Sequence, residues 1–378
     1  MVLRHARSSK FGTRGRRIQR CIRKSVNPCT IEEGDLNSVL ITGGAGYIGS
    51  HTAKALARSR FEPIVLDNLS KGHSWAVKWG PLIKADIGDY VAVRQVLRHF
   101  HIDAVIHFAA DAYVGESMRE PRRYFLNNVR NTLTLLEAVM DAGVRHFVFS
   151  SSCATYGIPS AVPISEKQPQ FPVNPYGESK RFVERTLLWY GEAYGLKSVA
   201  LRYFNAAGAD PGGELGEDHD PETHLIPLVI QAALGIRPQV EIYGTDYPTP
   251  DGTAIRDYIH VSDLAEAHVM ALRHLMSGGE NAVLNLGTGQ GHSIREVIAT
   301  VSRRSGRNVP AREAGRRPGD PPVLVADAAH ARKVLGWRPQ HSDLGTIVDT
   351  ALRWQAHHFT EVVLPGLKSG MHHDVAVR

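Results

Sequence analysis

Tyr176 and Lys180 are the residues of this chain whose types and spacing most clearly suggest chemistry. A separation of four residues puts both side chains on one face of a predicted helix. An ammonium group beside a phenol favours the phenolate, so we expect a lowered pKa for Tyr176 and a base that works near neutral pH. Upstream, the apolar run Phe147–Phe149 ends in Ser150-Ser151-Ser152. The tyrosine–lysine spacing occurs by chance on many helices, and the serines strengthen its interpretation.

A glycine-rich turn lies near the start of the predicted folded body. Gly43, Gly46 and Gly49 follow a strand-like run and precede a helical pattern, which is the context that a dinucleotide-binding turn requires. Glycine lets a pyrophosphate approach the backbone N–H groups at the helix N-terminus. Their spacing differs from the usual Gly-x-Gly-x-x-Gly, which disfavours a dehydrogenase of the two-domain type.

Asp67 ends the second predicted strand, eighteen residues after Gly49. A carboxylate at that position accepts hydrogen bonds from the adenine-ribose hydroxyls and repels a 2′-phosphate, so the sequence favours NAD over NADP. The alternative is a turn that Asp67 begins with Asn68. Other strand ends, where ligands of doubly wound sheets collect, carry Asp86, Phe108, Ala109 and Ala110, for which packing alone is the alternative.

Short β-branched runs alternate with helical stretches from Ser38 to Tyr203. This order predicts an α/β fold with a Rossmann-type, doubly wound parallel sheet and a smaller C-terminal substrate-binding domain. We expect a helix from about Pro121 to Ala142. The predicted units are a basic, disordered extension (1–36), an NAD-binding domain (37–205, with segments near 257–287 returning to it), a second domain (206–365) and a flexible tail (366–378).

Charge and composition narrow the function classes. The net charge is +6, and residues 1–36 contain nine Arg and Lys against three acids, so residues 37–378 are neutral overall. A neutral body argues against nucleic acid as a partner. For residues 1–36 a dispensable extension, an organelle transit segment and a binding tail remain alternatives. No apolar run reaches membrane-spanning length, and three cysteines favour a reducing compartment such as the cytoplasm.

The nineteen histidines show no familiar metal spacing. His99/His101 and His357/His358 are not ligand pairs of a usual kind. We therefore expect no metal. Cys153 is interpreted as a small buried residue, since no histidine arrangement beside it suggests a nucleophile.

From Val39 to about Trp354 the chain resembles the UDP-glucose 4-epimerases of the extended short-chain dehydrogenase/reductase family. The resemblance rests on Thr42–His51, Leu66–Leu69, His107–Ala110, Val114–Ser117, Asn127–Val129, Pro175–Lys180, Leu201–Asn205, Asp251–Thr253 and Arg256–Val261. The last two runs, with Tyr247-Pro248 and Arg316–Asp320, separate these epimerases from sibling enzymes. Sugar-nucleotide 4,6-dehydratases carry an Asp-Glu pair where this chain has Cys153 and Ala154.

The resemblance implies that residues 206–365 are mainly a UDP-sugar-binding domain, and it implies roles for individual residues. Tyr176 matches the catalytic base, Lys180 the residue that lowers its pKa and binds ribose, and Ser152 the hydroxyl that bridges tyrosine and sugar. Positions that match NAD contacts are Tyr47, Ile48, Asp67, Asn68, Leu69, Ser70, Lys71, Gly72, Asp86, Ile87, Phe108, Asn128 and Phe204. Positions that match contacts to a UDP-hexose are Asn205, Leu225, Tyr243, Arg256, Arg317 and Asp320, with Leu324 as a gate beside the sugar's 2-substituent.

Two positions depart from the family pattern: Ala112 replaces a frequent lysine, and His224 stands where an asparagine often grips the diphosphate. The family also implies a homodimer, formed by the helices near 121–142 and 176–194. Leu133, Leu136, Leu187 and Leu188 are candidates for its apolar faces, with an intramolecular core role as the alternative. The implied activity is C4 epimerisation of UDP-glucose and UDP-galactose with tightly bound NAD. The alternatives are an epimerase for another UDP sugar (N-acetylated, pentose or uronate) and a non-catalytic NAD-sensing or RNA-binding relative.

Overall fold

A seven-stranded parallel sheet forms the centre of the protein. The computed structural model describes residues 36–317 and 319–358. The strands are β1 (Ser38–Thr42), β2 (Glu62–Asp67), β3 (Leu82–Lys84), β4 (Ala104–His107), β5 (His146–Ser152), β6 (Lys197–Tyr203) and β11 (Ala282–Leu286). Their spatial order is β11-β6-β5-β4-β1-β2-β3. The chain changes direction across the sheet at β1 and β4, which places ligands at the carboxyl ends of these strands.

Helices cover both faces of the sheet. The helices of the described residues are α1 (Tyr47–Arg58), α2 (Tyr90–His99), α3 (Val114–Ser117), α4 (Pro121–Tyr124), α5 (Thr132–Asp141), α6 (Pro175–Tyr194), α7 (Leu225–Ala233), α8 (Val261–Met276), α9 (Ile294–Ser305), α10 (Ala329–Leu335) and α11 (Leu344–His358). One apolar core joins α1 and α8 to the sheet, and the other joins α2, α5 and α6 to it. Strands β1 and β4 are buried along their whole length, as expected for a sheet covered on both faces. No described helix is long and apolar enough to cross a bilayer.

Smaller elements lie beyond β6. They are β7 (Asn205–Ala207), β8 (Val240–Tyr243), β9 (Ile255–Arg256), β10 (Tyr258–His260), β12 (His292–Ser293), β13 (Ala311–Ala314) and β14 (Val323–Leu324). They pair as β10-β7, β12-β9-β14 and β13-β8. Helices α7, α9 and α11 enclose a third apolar core beside them.

The predicted fold class is confirmed, with two differences in detail. The helix expected from Pro121 to Ala142 contains a wide π-helical turn, Phe125–Asn131, between α4 and α5. Strand β11, which pairs with β6 in register, was not recognised as a strand from sequence. The domain boundaries stay a prediction, and residues 1–35 and the tail 366–378 lie outside the described residues.

For two of the four candidate leucines the structure supports the core alternative. Leu136 and Leu187 are 0% and 2% exposed and belong to the core under α5 and α6. Helical periodicity alone did not tell which face meets the sheet. Leu188 is 53% exposed, and Leu133 is partly buried.

A buried ion pair ties α6 to the sheet. Glu184 on α6 accepts hydrogen bonds from Arg202 on β6, at 2.9 Å from Nε and 2.6 Å from Nη2. Both side chains are almost fully buried. Arg202 Nη1 also donates to the hydroxyl of Tyr156 at 2.9 Å, and that hydroxyl donates to Asn285 on β11 at 2.7 Å. The network therefore links α6 to two neighbouring strands.

Replacing Arg202 with Met should reduce the free energy of unfolding by about 3–5 kcal/mol, because it leaves the Glu184 carboxylate buried and unpaired. Equilibrium urea unfolding followed by circular dichroism measures this change. The matched control is Arg181→Met on the same helix, since Arg181 pairs with the exposed Glu178 at 3.3 Å. We expect that control to cost about 1 kcal/mol or less, and equal losses in the two variants would contradict the assignment.

Candidate active site

The start of α6 places Tyr176 beside the end of β5. Asn174 caps the helix by accepting a hydrogen bond from the backbone N–H of Gly177 at 2.8 Å, and Pro175 occupies the first turn. A Cβ added at Gly177 would lie 2.4 Å from the Ala154 carbonyl oxygen. The glycine therefore lets the helix approach the turn that follows Ser152 closely enough for the serine hydroxyl to interact with the Tyr176 phenol.

Lys180 lies one helical turn below Tyr176, as the spacing predicted. Its Nζ donates to the Ser150 carbonyl oxygen at 2.8 Å and is 5.8 Å from the centre of the Tyr176 ring. Nζ is also 4.9 Å from the centre of the Phe149 ring. The residue is 3% exposed, so the ammonium is directed along the inner face of α6.

The expected lowering of the Tyr176 pKa does not hold for the chain by itself. Burial raises the pKa of Tyr176 well above its ordinary value, and the nearby Ser152 hydroxyl only partly opposes this. Burial also lowers the pKa of Lys180 to about 7, although the nearby Glu184 carboxylate works in the opposite direction. Both changes have one cause: a site closed to water disfavours the charged form of each group.

The glycine turn has the shape that a pyrophosphate needs. Gly43 has a positive φ of 74°, and a Cβ there would lie 2.5 Å from the backbone nitrogen of Ala109. A Cβ on Gly49 would lie 2.3 Å from the Gly43 carbonyl oxygen. No side chain caps α1 at Gly46, and its first turn contains no acid. An anion can therefore approach the helix N-terminus without repulsion.

Asp67 lies at the carboxyl end of β2, buried against the glycine turn. Its two oxygens accept from the backbone N–H groups of Ala45 at 3.0 Å and Leu69 at 2.8 Å. A Cβ on Gly72 would lie 3.0 Å from one of these oxygens. Burial raises the pKa of Asp67 despite these two hydrogen bonds.

The rest of the predicted cofactor set gathers along the same edge. Asn68 donates to Asp86 at 2.8 Å, and the side chain of Phe108 packs on His268 with ring centres 4.6 Å apart. Asn128 is buried and takes part in an internal hydrogen-bond network. Its amide bonds to both backbone groups of Asp111, at 2.8 and 2.9 Å, and donates to Ser179 at 3.1 Å. It thus joins the π-helical turn to α6.

The remaining positions of that set are also within this region. Tyr47 donates to the Gly208 carbonyl oxygen at 2.6 Å, and the Lys71 ammonium stands 5.4 Å from the centre of the Tyr113 ring. Ile87 belongs to the core under α2. The backbone N–H of Ser70 donates to Asn68 at 2.9 Å.

On the substrate side, two short strands bring three predicted residues together. Leu324 on β14 lies directly opposite Arg256 on β9, and the guanidinium of Arg256 is ion-paired with Asp320. Leu324 packs on an apolar cluster that includes Phe204, a predicted cofactor residue. The two predicted binding regions therefore meet at this cluster.

The other predicted substrate residues are more scattered. The guanidinium of Arg317 lies 4.0 Å from the centre of the Tyr243 ring, which fixes its orientation by a cation–π contact. Asn205 begins β7 and pairs with Tyr258, and Leu225 begins α7. Of the two departures from the family pattern, Ala112 is exposed, and the His224 ring contacts the Glu217 carboxylate.

Several residues in these regions were not identified from sequence. Glu184 is one helical turn beyond Lys180, and Arg202 interrupts an apolar strand, so a buried charge that needs a partner was a signal available in the sequence.

A second group of residues that were not identified from sequence contains Glu217, His219, Glu222 and His224. Burial lowers the pKa of His219, but Glu217 and Glu222 outweigh it and raise that pKa to about 10. The spacing of these four residues in a loop follows no known motif, so nothing in the sequence indicated that they form a common site.

Comparison with known proteins gives matches over most of the chain. Residues 39–287 match the family described as "NAD dependent epimerase/dehydratase family". The chain is 52% identical over 320 residues to a UDP-glucose 4-epimerase of Rhizobium meliloti, covering 85% of this chain and 97% of that protein.

Solved structures of UDP-glucose 4-epimerases also match this chain over most of its length. A UDP-glucose 4-epimerase from Brucella ovis in complex with NAD has a TM-score of 0.82 and 54% identity, covering 84% of this chain and 97% of that one. The Bifidobacterium longum UDP-glucose 4-epimerase in complex with NAD+ and UDP has a TM-score of 0.81 and 38% identity, covering 85% of this chain and 98% of that one.

Proposed function

The chain belongs to the NAD dependent epimerase/dehydratase family, and on that premise we propose that it interconverts UDP-glucose and UDP-galactose by epimerisation at C4. The observation that carries the proposal is the pairing of Tyr176 with Lys180 next to Ser152, at the edge of the sheet that holds the glycine turn. A non-catalytic relative has no need of this buried acid–base arrangement.

The residues present fit NAD as the cofactor. Gly43 and Gly49 leave no room for a side chain, and the uncapped start of α1 suits a pyrophosphate. Asp67 is placed to accept from ribose hydroxyls and to repel a 2′-phosphate, which supports NAD over NADP. Bound NAD supplies a hydride acceptor and donor, so that the sugar passes through a 4-keto form and no redox equivalent leaves the enzyme.

Tyr176 is the proposed base and acid. Its phenolate takes the proton of the sugar 4-hydroxyl as C4 is oxidised, and the phenol returns a proton when the 4-keto sugar is reduced on its other face. The Ser152 hydroxyl next to the phenol favours the phenolate, and we propose that it shares the sugar hydroxyl. Proton transfer by a positioned side chain contributes about 10²–10⁴ to the rate.

The buried phenol needs positive charge near it to ionise, because burial alone raises its pKa. The Lys180 ammonium, 5.8 Å from the ring centre, provides such a charge when protonated. The oxidised nicotinamide ring also carries a positive charge. We therefore propose that cofactor binding completes the base, since both cations favour the phenolate.

Two arginines are proposed to bind the diphosphate of the substrate. Arg256 is 8% exposed and already paired with Asp320, whereas the Arg317 guanidinium is held against Tyr243 and is exposed on its other face. Guanidinium groups bind phosphate oxygens in a bidentate manner. Arg317 is therefore the more available of the two for direct contact.

A homodimer is the proposed assembly. Large apolar side chains of the π-helical turn and α6 remain on the surface, namely Phe125, Leu126, Phe182, Leu188 and Trp189. Phe182 and Trp189 are seven residues apart and share one face of α6. Exposed apolar patches mark interaction sites, and a two-fold dimer is the commonest soluble oligomer.

Replacing Tyr176 with Phe should lower turnover of UDP-galactose by about 10³ or more while bound NAD is retained, because only the proton-transferring oxygen is lost. Lys180→Met should slow the reaction and move its pH optimum upward. Turnover is measured by product analysis without added NAD, and NAD content by release on denaturation. Tyr194→Phe, an exposed tyrosine at the end of α6, is the matched control. Turnover near that of the original chain in Tyr176→Phe would refute the mechanism.

Leu324→Tyr should remove activity on UDP-N-acetylglucosamine and spare activity on UDP-glucose. The larger side chain would fill space beside the sugar's 2-substituent. A single apolar misfit discriminates by about 1–3 kcal/mol, so we expect weak turnover of the N-acetylated sugar before the change. The measurement is kcat/KM for both substrates in both proteins, and an unchanged ratio would make Leu324 a packing residue only.

Changing both Phe182 and Trp189 to Glu should halve the mass measured by light scattering, because charge would be placed in the middle of the proposed apolar interface. Val91→Glu is the control, since Val91 is equally exposed but lies on α2. A monomer before any substitution, at micromolar concentration, would contradict the homodimer.

A further inference from the structure

A loop before α7 gathers four side chains that the proposed reaction does not use. Glu217, His219, Glu222 and His224 each direct one potential ligand atom into the same small volume, and these atoms lie within 4.8 Å of one another. Two imidazole nitrogens and two carboxylate oxygens form a typical ligand set for a transition-metal cation. Nothing in the C4 epimerisation calls for such a set.

The individual distances are close to those of a coordination site. His219 Nδ1 is 3.1 Å from Glu217 Oε1 and 3.9 Å from Glu222 Oε2, and His224 Nδ1 is 3.8 Å from Glu222 Oε1. His224 Nδ1 also contacts Glu217 Oε1 directly. With metal–ligand bonds of about 2.0–2.1 Å, tetrahedral ligands stand about 3.3 Å apart. The present separations run from the direct His224–Glu217 contact up to 4.8 Å, so side-chain rotations that move these atoms by about 1–1.5 Å would accommodate an ion.

The surroundings hold the four groups in place. Glu217 is 3% exposed, and its carbonyl oxygen accepts from Trp354 Nε1 on α11 at 3.0 Å. Glu222 Oε1 accepts from the backbone N–H groups of Thr223 and His224 at 2.6 and 2.8 Å. His219 Nδ1 is buried, and among the described residues it has no hydrogen-bond partner of good geometry. That atom is thus available to a ligand.

The charge of the two glutamates is a further reason to expect a cation at these four residues. The side chains of Glu217 and Glu222 are 4% and 7% exposed, and two carboxylates with so little exposure need positive charge beside them. One divalent cation supplies that charge and can bind all four ligand atoms. We propose that Glu217, His219, Glu222 and His224 form a four-ligand site for Zn²⁺ or a cation of similar preference.

The ligand set also indicates what such an ion does. Mg²⁺ and Ca²⁺ favour six or more oxygen ligands, whereas Zn²⁺ is stable with four nitrogen and oxygen ligands. A site whose four positions are all filled by protein groups is structural, because no position is left for substrate. The ion would stabilise a loop that two other side chains also contact. His73 Nε2 is 2.9 Å from the carbonyl oxygen of Asp218, and Lys71 donates to the carbonyl oxygen of Asp220 at 3.3 Å.

The competing arrangement has no metal. Two protons on His219 and His224 balance the same two carboxylates, and the loop is then held by ion pairs alone. The two arrangements differ in a measurable way, because only the first binds one equivalent of metal at these four residues.

Metal analysis of the full chain tests the site. The protein is stripped with a chelator, dialysed and titrated with Zn²⁺ and, separately, with Co²⁺, whose visible absorption is intense in tetrahedral sites. We expect the chain to bind one more equivalent of Zn²⁺ than His219→Gln or Glu217→Gln, and to give tetrahedral Co²⁺ bands without a near-ultraviolet thiolate band. The thiolate band identifies ions on Cys21 and Cys29, which lie outside the described residues.

His292→Gln is the matched control, since its ring nitrogen stands 3.9 Å from Glu296 outside this loop. It should keep the full stoichiometry. Equal Zn²⁺ binding in the chain and in the cluster variants overturns the proposal. If a variant does not fold, the cobalt spectrum of the unsubstituted chain decides, and absence of tetrahedral bands at one equivalent overturns it. Neither readout depends on epimerase activity.

Discussion

The ion pair between Glu184 and Arg202 is the constraint on which the acid–base site depends. Two opposite charges almost without solvent exposure are stable only in good geometry with further hydrogen bonds, and here Tyr156 and Ser151 provide them. Glu184 is one turn from Lys180 and two turns from Tyr176 on the same helix. Once its carboxylate is locked to β6, the height and rotation of α6 over the sheet are determined. The phenol and the ammonium then stand at the end of β5.

Burial has opposite consequences for the two halves of the acid–base pair. It raises the pKa of the Tyr176 phenol and lowers that of the Lys180 ammonium. In a site of this kind the phenol ionises only when positive charge lies close to it. In the proposed function the Lys180 ammonium and the oxidised cofactor both supply that charge, so proton abstraction depends on occupancy of the dinucleotide site as well as on Lys180.

The two proposed binding regions, one for the cofactor and one for the substrate, are built in different ways. The cofactor edge is formed mainly by backbone: Gly43 and Gly49 exclude side chains, and Asp67 is pinned by N–H groups of the turn. The substrate region depends on side chains carried by two-residue strands, where Arg256 and Leu324 are opposite each other. Changes of substrate preference are therefore easier to obtain than changes of cofactor, because they require no rebuilding of a turn.

The sequence alone determined the parallel α/β class, the glycine turn and the spacing of Tyr176 and Lys180. These are local properties, set by periodicity and by what glycine permits over a few residues. Only the tertiary structure decided the direction of the Tyr176 pKa, the burial of Leu136 and Leu187, the internal role of Asn128 and the gathering of Glu217, His219, Glu222 and His224. Each of these depends on which surfaces meet across the fold, and on the loss of water where they meet, and neither is encoded in the spacing of neighbouring residues.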